Sequence, residues 1–143
     1  MKEISKYSNC FVCGDKNPQG LAARFYYDGQ QAITEIVATE QFEGYRDIYH
    51  GGIISALLDE VMIKAILAID RFAVTAEITV RFLKPVRINS KLIFVGKVVK
   101  SKGRVFLTEG EVRDKSNEIY ATATGKYIEA RTELRRELMK SLD

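Results

Sequence analysis

His50-Gly51-Gly52-Ile53-Ile54-Ser55-Ala56-Leu57-Leu58-Asp59-Glu60 begins the stretch whose reading decides the architecture: it runs on without proline into an Ala-, Leu-, Ile- and Met-rich segment ending at Asp70. Apolar side chains recur at Ile53, Ile54, Ala56, Leu57, Leu58, Val61, Met62, Ile63, Ala65, Ile66, Leu67 and Ile69, which leaves almost no polar face. The pattern predicts one long helix over 51–70, buried on most sides, and such a helix needs a sheet to cover it.

Working outward, residues 21–27 and 31–38 are β-rich runs joined by Asp28-Gly29, a hairpin signal. Residues 1–20 collect turn formers, Cys13-Gly14-Asp15 and Asn17-Pro18-Gln19-Gly20, and read as an irregular lead-in. Downstream, 74–83, 91–101, 104–113 and 118–129 show β-branched and aromatic residues in partial alternation. The links between them, such as Lys102-Gly103 and Asp114-Lys115-Ser116-Asn117, are short enough to imply consecutive antiparallel strands. Residues 131–143 carry Leu134, Leu138 and Leu142 four apart and read as a short amphipathic helix. Hairpin, long helix, then four strands is an α+β order, with an antiparallel sheet wrapped around one central helix in a single domain spanning 1–143.

Composition bounds the function. A chain of 143 residues with 46% hydrophobic and 29% charged residues can bury a core without disulfides or metals. Its net charge of +3 is dispersed, which argues against nucleic acid as a partner, and its apolar runs are too short or too interrupted for a membrane span. With no signal-like start, a cytoplasmic location is expected. Cys10 and Cys13 form a single Cys-x-x-Cys, and His50 is the only histidine. One such pair reads as reduced and structural, so neither metal nor cofactor is expected; the alternative is a zinc site shared between protomers.

Two features carry chemistry. Gly51 and Gly52 at a helix start let a ligand approach unpaired N–H groups at the positive end of the dipole, where a carbonyl or oxyanion is stabilised; the plainer reading is a tight turn. Asp59 and Glu60 are adjacent and therefore point about 100° apart. Glu60 precedes Lys64 by four residues, the order of an exposed salt pair. Asp59 lies on a stripe with Ser55, Ala56, Met62 and Ile63, where a carboxylate needs a partner or a function. Gly52 and Asp59 are seven residues apart, roughly 10 Å along a helix, too far to act on one carbonyl from one helix. Two helices antiparallel across a twofold axis would bring the start of one to the middle of the other, so the site is expected between protomers.

His50-Gly51-Gly52 with Asp59, followed by Thr75-Ala76-Glu77-Ile78-Thr79-Val80-Arg81-Phe82-Leu83-Lys84-Pro85-Val86, resembles the PaaI-like branch of the hotdog-fold acyl-CoA thioesterases across roughly 20–130. The lead-in Cys10-Phe11-Val12-Cys13-Gly14 and Asn17-Pro18-Gln19-Gly20-Leu21 is also similar to that superfamily. The resemblance implies a hotdog fold, a homodimer or homotetramer, and hydrolysis of an acyl-CoA. In it a Gly51 or Gly52 amide polarises the thioester carbonyl, Asp59 of the opposing protomer acts as base or nucleophile, and Thr75 positions water. His50 would orient the loop or touch the carbonyl, although packing at a helix start serves it equally, as an ordinary strand role serves Thr75. Lys84 and Arg87, with Lys100, Lys102, Gly103 and Arg104, would border the nucleotide of CoA, while Phe42 and Tyr45 would line the acyl pocket. Many relatives carry Gln or Asn where this chain has Gly44, a departure that keeps a non-catalytic acyl-CoA sensor as the alternative.

Overall fold

The computed structural model describes residues 1–142. In chain order the elements are β1 (Lys2–Glu3), β2 (Tyr26–Tyr27), β3 (Ala32–Val37), a 3-10 turn (Glu40–Phe42), α1 (Gly51–Leu67), β4 (Ala73–Phe82), β5 (Lys91–Lys102), β6 (Val105–Arg113), β7 (Ile119–Glu129) and α2 (Thr132–Lys140). The strands form one antiparallel sheet in the order β1-β2-β3-β5-β6-β7-β4, packed around α1. This is the hotdog arrangement expected.

Two expectations are corrected. The four downstream strands are not all consecutive neighbours: β5, β6 and β7 are, but β4 pairs with β7 at the far edge. α1 crosses the sheet and delivers the chain to that edge, and the stretch after β4 returns past the helix start, where Tyr49 N–H donates to the Val86 carbonyl at 2.8 Å. The first strand is also shorter than 21–27. Its early residues pair with the lead-in instead, Leu21 N–H to the Phe11 carbonyl and Ala23 N–H to the Val12 carbonyl, both at 2.8 Å. The lead-in is irregular except at β1, where Lys2 and Glu3 add a short edge strand that the reading of 1–20 did not expect, and Ile4, Val12 and Cys13 are buried in the core.

The helix lies directly on the sheet because glycine makes room. At Gly96 in β5 a Cβ would sit 2.6 Å from the Val61 carbonyl oxygen, so no other residue lets the helix backbone come this close. Leu57, Leu58, Val61, Met62 and Ile66 are then fully enclosed by Phe94, Phe106, Val112 and Tyr127. α2 has no buried residue; it lies across one end of the molecule, with Arg135 over the Phe72 ring at 5.3 Å. No helix among the described residues is long and apolar enough to cross a membrane.

A bulge in β4 decides which way Thr75 faces. Thr75 pairs with Tyr127 and Glu77 with Lys126, which leaves Ala76 without an opposite number. Side chains alternate faces along a strand, so if Ala76 were regularly paired Thr75 would share the outward face of Glu77 and Thr79. With Ala76 unpaired, Thr75 joins Ile78 and Val80 on the face that looks at α1.

Candidate active site

Asp59 sits in the middle of α1, and the bulge turns Thr75 toward it. The Thr75 hydroxyl donates to Asp59 Oδ1 at 2.9 Å, and the Tyr127 hydroxyl donates to the same oxygen at 2.8 Å. Tyr127 is fully buried, and its hydroxyl is also 3.1 Å from the Asp59 main-chain carbonyl. Burial, then the carboxylate beside it, pushes the Tyr127 phenol well above its ordinary range, so it remains a donor. Thr75 and Tyr127 are cross-strand partners, which means a single pair of opposed residues grips one carboxylate oxygen. Oδ2 has no partner among the described residues.

That carboxylate lies in the wall of a cavity of about 400 Å³ bounded by Ile63, Leu67, Phe72, Ala73, Val74 and Leu138 on its apolar side. Larger hollows exist, but they hold none of these groups. One of about 520 Å³ lies on the sheet's outer face around Arg81, Lys97, Glu109 and Arg113, and one of about 700 Å³ lies beside the lead-in around Ala22, Ile33 and Phe42.

Glu60, read from sequence as half of an exposed pair with Lys64, is not exposed. Lys64 retains 1% of its side-chain exposure and Glu60 16%, with Lys64 Nζ 3.7 Å from Glu60 Oε2. The lead-in covers this face: Lys64 donates to the Ser5 carbonyl at 2.5 Å and lies over the rings of Tyr7 and Phe25 at 5.7 and 5.8 Å. Sequence spacing along a helix reports neighbours on that helix, not a distant segment folded over it. Burial first, and then the Cys10 sulfur, push the Glu60 carboxyl up to about 7, which Lys64 partly opposes. Cys10 Sγ is 3.9 Å from Glu60 Oε1. Cys10 is held low and Cys13 is driven up, chiefly by the hydrogen bond between the two sulfurs.

At the helix start His50 is the N-cap, its Nδ1 accepting the Gly52 N–H at 2.8 Å. An accepting Nδ1 puts the ring proton on Nε2. Gly52 N–H is therefore engaged, whereas Gly51 N–H has no partner among the described residues. The His50 ring packs over Gly44, where a Cβ would come within 3.3 Å of the His50 Cα. A side chain at 44 would press on the His50 ring and backbone, which would have to give by a few tenths of an ångström. Tyr45 stands out in solvent, 85% exposed, and Phe42 packs edge-on against Phe11.

The cations divide between the two ends of the sheet. Lys84 pairs with Glu118, and Arg87 stands 3.9 Å from Asp47, both beyond the end of β4. Lys100, Lys102, Gly103 and Arg104 form the β5–β6 turn at the opposite end, beside the start of β4. Gly103 supplies the positive φ of +59° that closes the turn. Arg104 is committed to the Glu129 carbonyl at 2.9 Å, while Lys100 and Lys102 are exposed. One chain alone does not bring the two cationic groups together.

Of the groups around Asp59, Tyr127 was missed from sequence. The signal was present in Ala121, Ala123, Gly125 and Tyr127, which alternate onto one face, but only the register with Thr75 shows where the hydroxyl ends.

Residues 47–121, more than half of the chain, match the family model described as "Thioesterase superfamily". A Saccharolobus solfataricus protein named "Putative esterase SSO2140" is 29% identical over 106 residues, covering 73% of this chain and 75% of that one. Among solved structures, the thioesterase superfamily protein RHA08564 superposes with a TM-score of 0.80 at 21% identity, covering 85% of this chain, which spans only 60% of that protein. The PaaI protein of Escherichia coli, from the phenylacetic acid degradation operon, gives 0.71 at 20% identity, covering 78% and 81% of the two chains. A hypothetical thioesterase of Streptococcus pneumoniae TIGR4, solved with coenzyme A, gives 0.71 at 14% identity, covering 76% and 88%; Thr-to-Ala and Asp-to-Ala forms of it are also solved.

Proposed function

This chain belongs to the thioesterase superfamily, and from that premise we propose that it is a cytoplasmic enzyme hydrolysing an acyl-CoA thioester to the free acid and CoA. The observation that carries the reading is the Asp59 carboxylate, gripped on one oxygen by Thr75 and Tyr127 and free on the other at the cavity wall. Two hydroxyls fix its orientation and leave one lone-pair edge to work with. The coenzyme A in the streptococcal protein supports the substrate class. So does a spacing: the Asp and Thr replaced in that protein are sixteen residues apart, as Asp59 and Thr75 are here.

In this reading the working unit is a pair of chains. Gly51 N–H, with the helix dipole behind it, lies eight residues and so about 12 Å along α1 from Asp59 of the same chain, and it serves the opposing copy's Asp59. β4 suits such pairing: it is a ten-residue edge strand with Val74 and Phe82 exposed, and the Phe82 ring lies beside Gly51. Gly51 N–H polarises the thioester carbonyl and holds the oxyanion, joined from the ring's outer side by His50 Nε2–H. Gly52 contributes through His50, whose ring its amide fixes.

Asp59 acts in one of two ways. As a base it takes a proton from a water that Thr75 positions; the water adds to the carbonyl, and the tetrahedral oxyanion collapses to expel the CoA sulfur, which receives that proton. As a nucleophile it adds to the carbonyl and expels CoA as the thiolate, leaving a mixed anhydride; water then opens the anhydride to the free acid and the Asp59 carboxylate, and the proton released goes to the CoA thiolate. Lys100 and Lys102, being uncommitted, take the CoA phosphates at the β5–β6 turn, with Gly103 and Arg104 shaping it and Lys84 and Arg87 of the other copy at the rim.

Thiol release from a panel of acyl-CoAs tests the proposal. The wild type should release CoA, and Asp59→Asn should lose about 100-fold in kcat/KM with oligomer size and CoA binding unchanged. Single turnover in ¹⁸O-water adds a one-sided readout, since label in the Asp59 carboxylate marks a nucleophile whose anhydride water opens at Asp59, and rapid-quench trapping of the acylated chain covers opening at the acyl carbon. Acyl-CoA binding by the wild type with no release on any substrate would replace the enzyme with an acyl-CoA sensor.

A further inference from the structure

The Cys-x-x-Cys-Gly segment of the lead-in wraps around a sulfur. Cys13 N–H points at Cys10 Sγ at 3.3 Å, and Gly14 N–H closes the turn on the Cys10 carbonyl at 2.9 Å. Only glycine fits after Cys13, because a Cβ there would lie 2.3 Å from the Ser8 carbonyl oxygen. Amides aimed at a sulfur favour its thiolate, the form that binds metal.

Glu60 arrives at this turn from α1. One ligand atom each of Cys10, Cys13 and Glu60 lie within 4.8 Å of one another, and Cys10 Sγ to Glu60 Oε1 is 3.9 Å. A tetrahedral zinc ion with Zn–S near 2.3 Å and Zn–O near 2.1 Å separates its ligands by about 3.8 Å between sulfurs and about 3.6 Å between sulfur and oxygen. The site therefore needs movements of about an ångström or less to close on a zinc ion. Glu60 has no short partner to give up, since Lys64 Nζ is 3.7 Å away and spends its 2.5 Å bond on Ser5.

We propose that Cys10, Cys13 and Glu60 are three ligands of a zinc ion whose fourth position opens on the cavity beside Asp59. Two thiolates and a carboxylate carry three negative charges; zinc and the buried Lys64 ammonium carry three positive ones, so the covered cluster is neutral. Thiolates select zinc over magnesium or calcium. Cys13 is buried and closes the inner side, whereas Cys10 is half-buried and, like Glu60, faces the cavity. Three protein ligands with one open position is the pattern of a zinc ion that meets a ligand, and here it would also fasten the lead-in to α1. The site stands on these residues whether or not the cavity hydrolyses thioesters.

The test uses the full chain, reduced and stripped of metal, with zinc affinity read by competition against a chromophoric chelator and cobalt(II) as a spectroscopic probe. One zinc per chain, tighter than micromolar, with sulfur-to-cobalt charge-transfer bands, is expected. Cys13→Ser should roughly halve those bands, since Cys10 still supplies one thiolate, and Glu60→Gln should keep them while weakening zinc at least tenfold, roughly the effect of losing a supporting group. Should the cysteine variants fail to fold, the wild type still decides: zinc must raise its Tm by several degrees over the chelator-treated protein. No zinc binding by reduced, folded wild type overturns the site, and equal affinity in Glu60→Gln removes the carboxylate from it.

Discussion

Asp59 and Glu60 are consecutive residues on one helix, yet their surroundings have almost nothing in common. Asp59 faces the sheet edge and meets two hydroxyls from opposed strands, a polar setting with one oxygen left over. Glu60 faces the lead-in and meets a buried ammonium and two sulfurs. The difference is one of covering material: the sheet supplies alternating side chains at fixed register, while the lead-in supplies a turn built around its own backbone. One rotation of about 100° between neighbours is enough to place identical chemical groups in two kinds of site.

The sharpest way to break that comparison is Lys64→Met. If Glu60 depends on the ammonium, the variant strands a buried carboxylate wherever pH exceeds the carboxyl's raised value of about 7, and should lose about 3–5 kcal/mol in urea unfolding at pH 9 and less at pH 6, where the carboxyl is neutral. A loss under about 1 kcal/mol at pH 9 would mean that the Glu60 side is not electrostatically closed. Next is Asp59→Asn, expected to cost about 2.7 kcal/mol of transition-state stabilisation, the free-energy equivalent of a 100-fold fall in kcat/KM, with no matching drop in unfolding free energy. Smaller again is Tyr127→Phe. Removing one of the two hydroxyls should lower kcat about tenfold with KM nearly fixed and reduce stability by about 1 kcal/mol, as seen by steady-state kinetics and chemical denaturation. Smallest is Thr75→Val, about threefold in kcat, because Thr75 is exposed and water competes for its bond. Combined with Asp59→Asn, neither hydroxyl variant should cost anything further in rate; an additive loss would show that they act on substrate rather than through Asp59.

What the sequence disclosed divides in the same way. α1 and strands β4 to β7 were legible to within a few residues, because apolar periodicity and turn chemistry are local properties. Asp59 could be singled out from its stripe, and its two glycines from their place at a helix start. Tyr127 could not, since its role depends on β7 lying beside β4, a pairing with no sequence adjacency. Glu60 was read as solvated or structural, in an exposed pair, for a related reason: the spacing to Lys64 is genuine, but the segment that buries the pair lies some fifty residues upstream. At the helix start, two glycines looked interchangeable, and only the His50 ring on Gly52 N–H separates them.

The unpaired Ala76 in β4 makes the strand behave like a message read in two frames. Before it odd-numbered residues look inward, and after it even-numbered ones do. Exchanging the side chain at 76 leaves both frames intact, and a three-nucleotide deletion there would splice them into one regular strand in which Thr75, now next to outward-facing Glu77, still looks inward. The tolerance of this edge is thus set by counting rather than by chemistry: the extra residue can be lost without turning Thr75 outward.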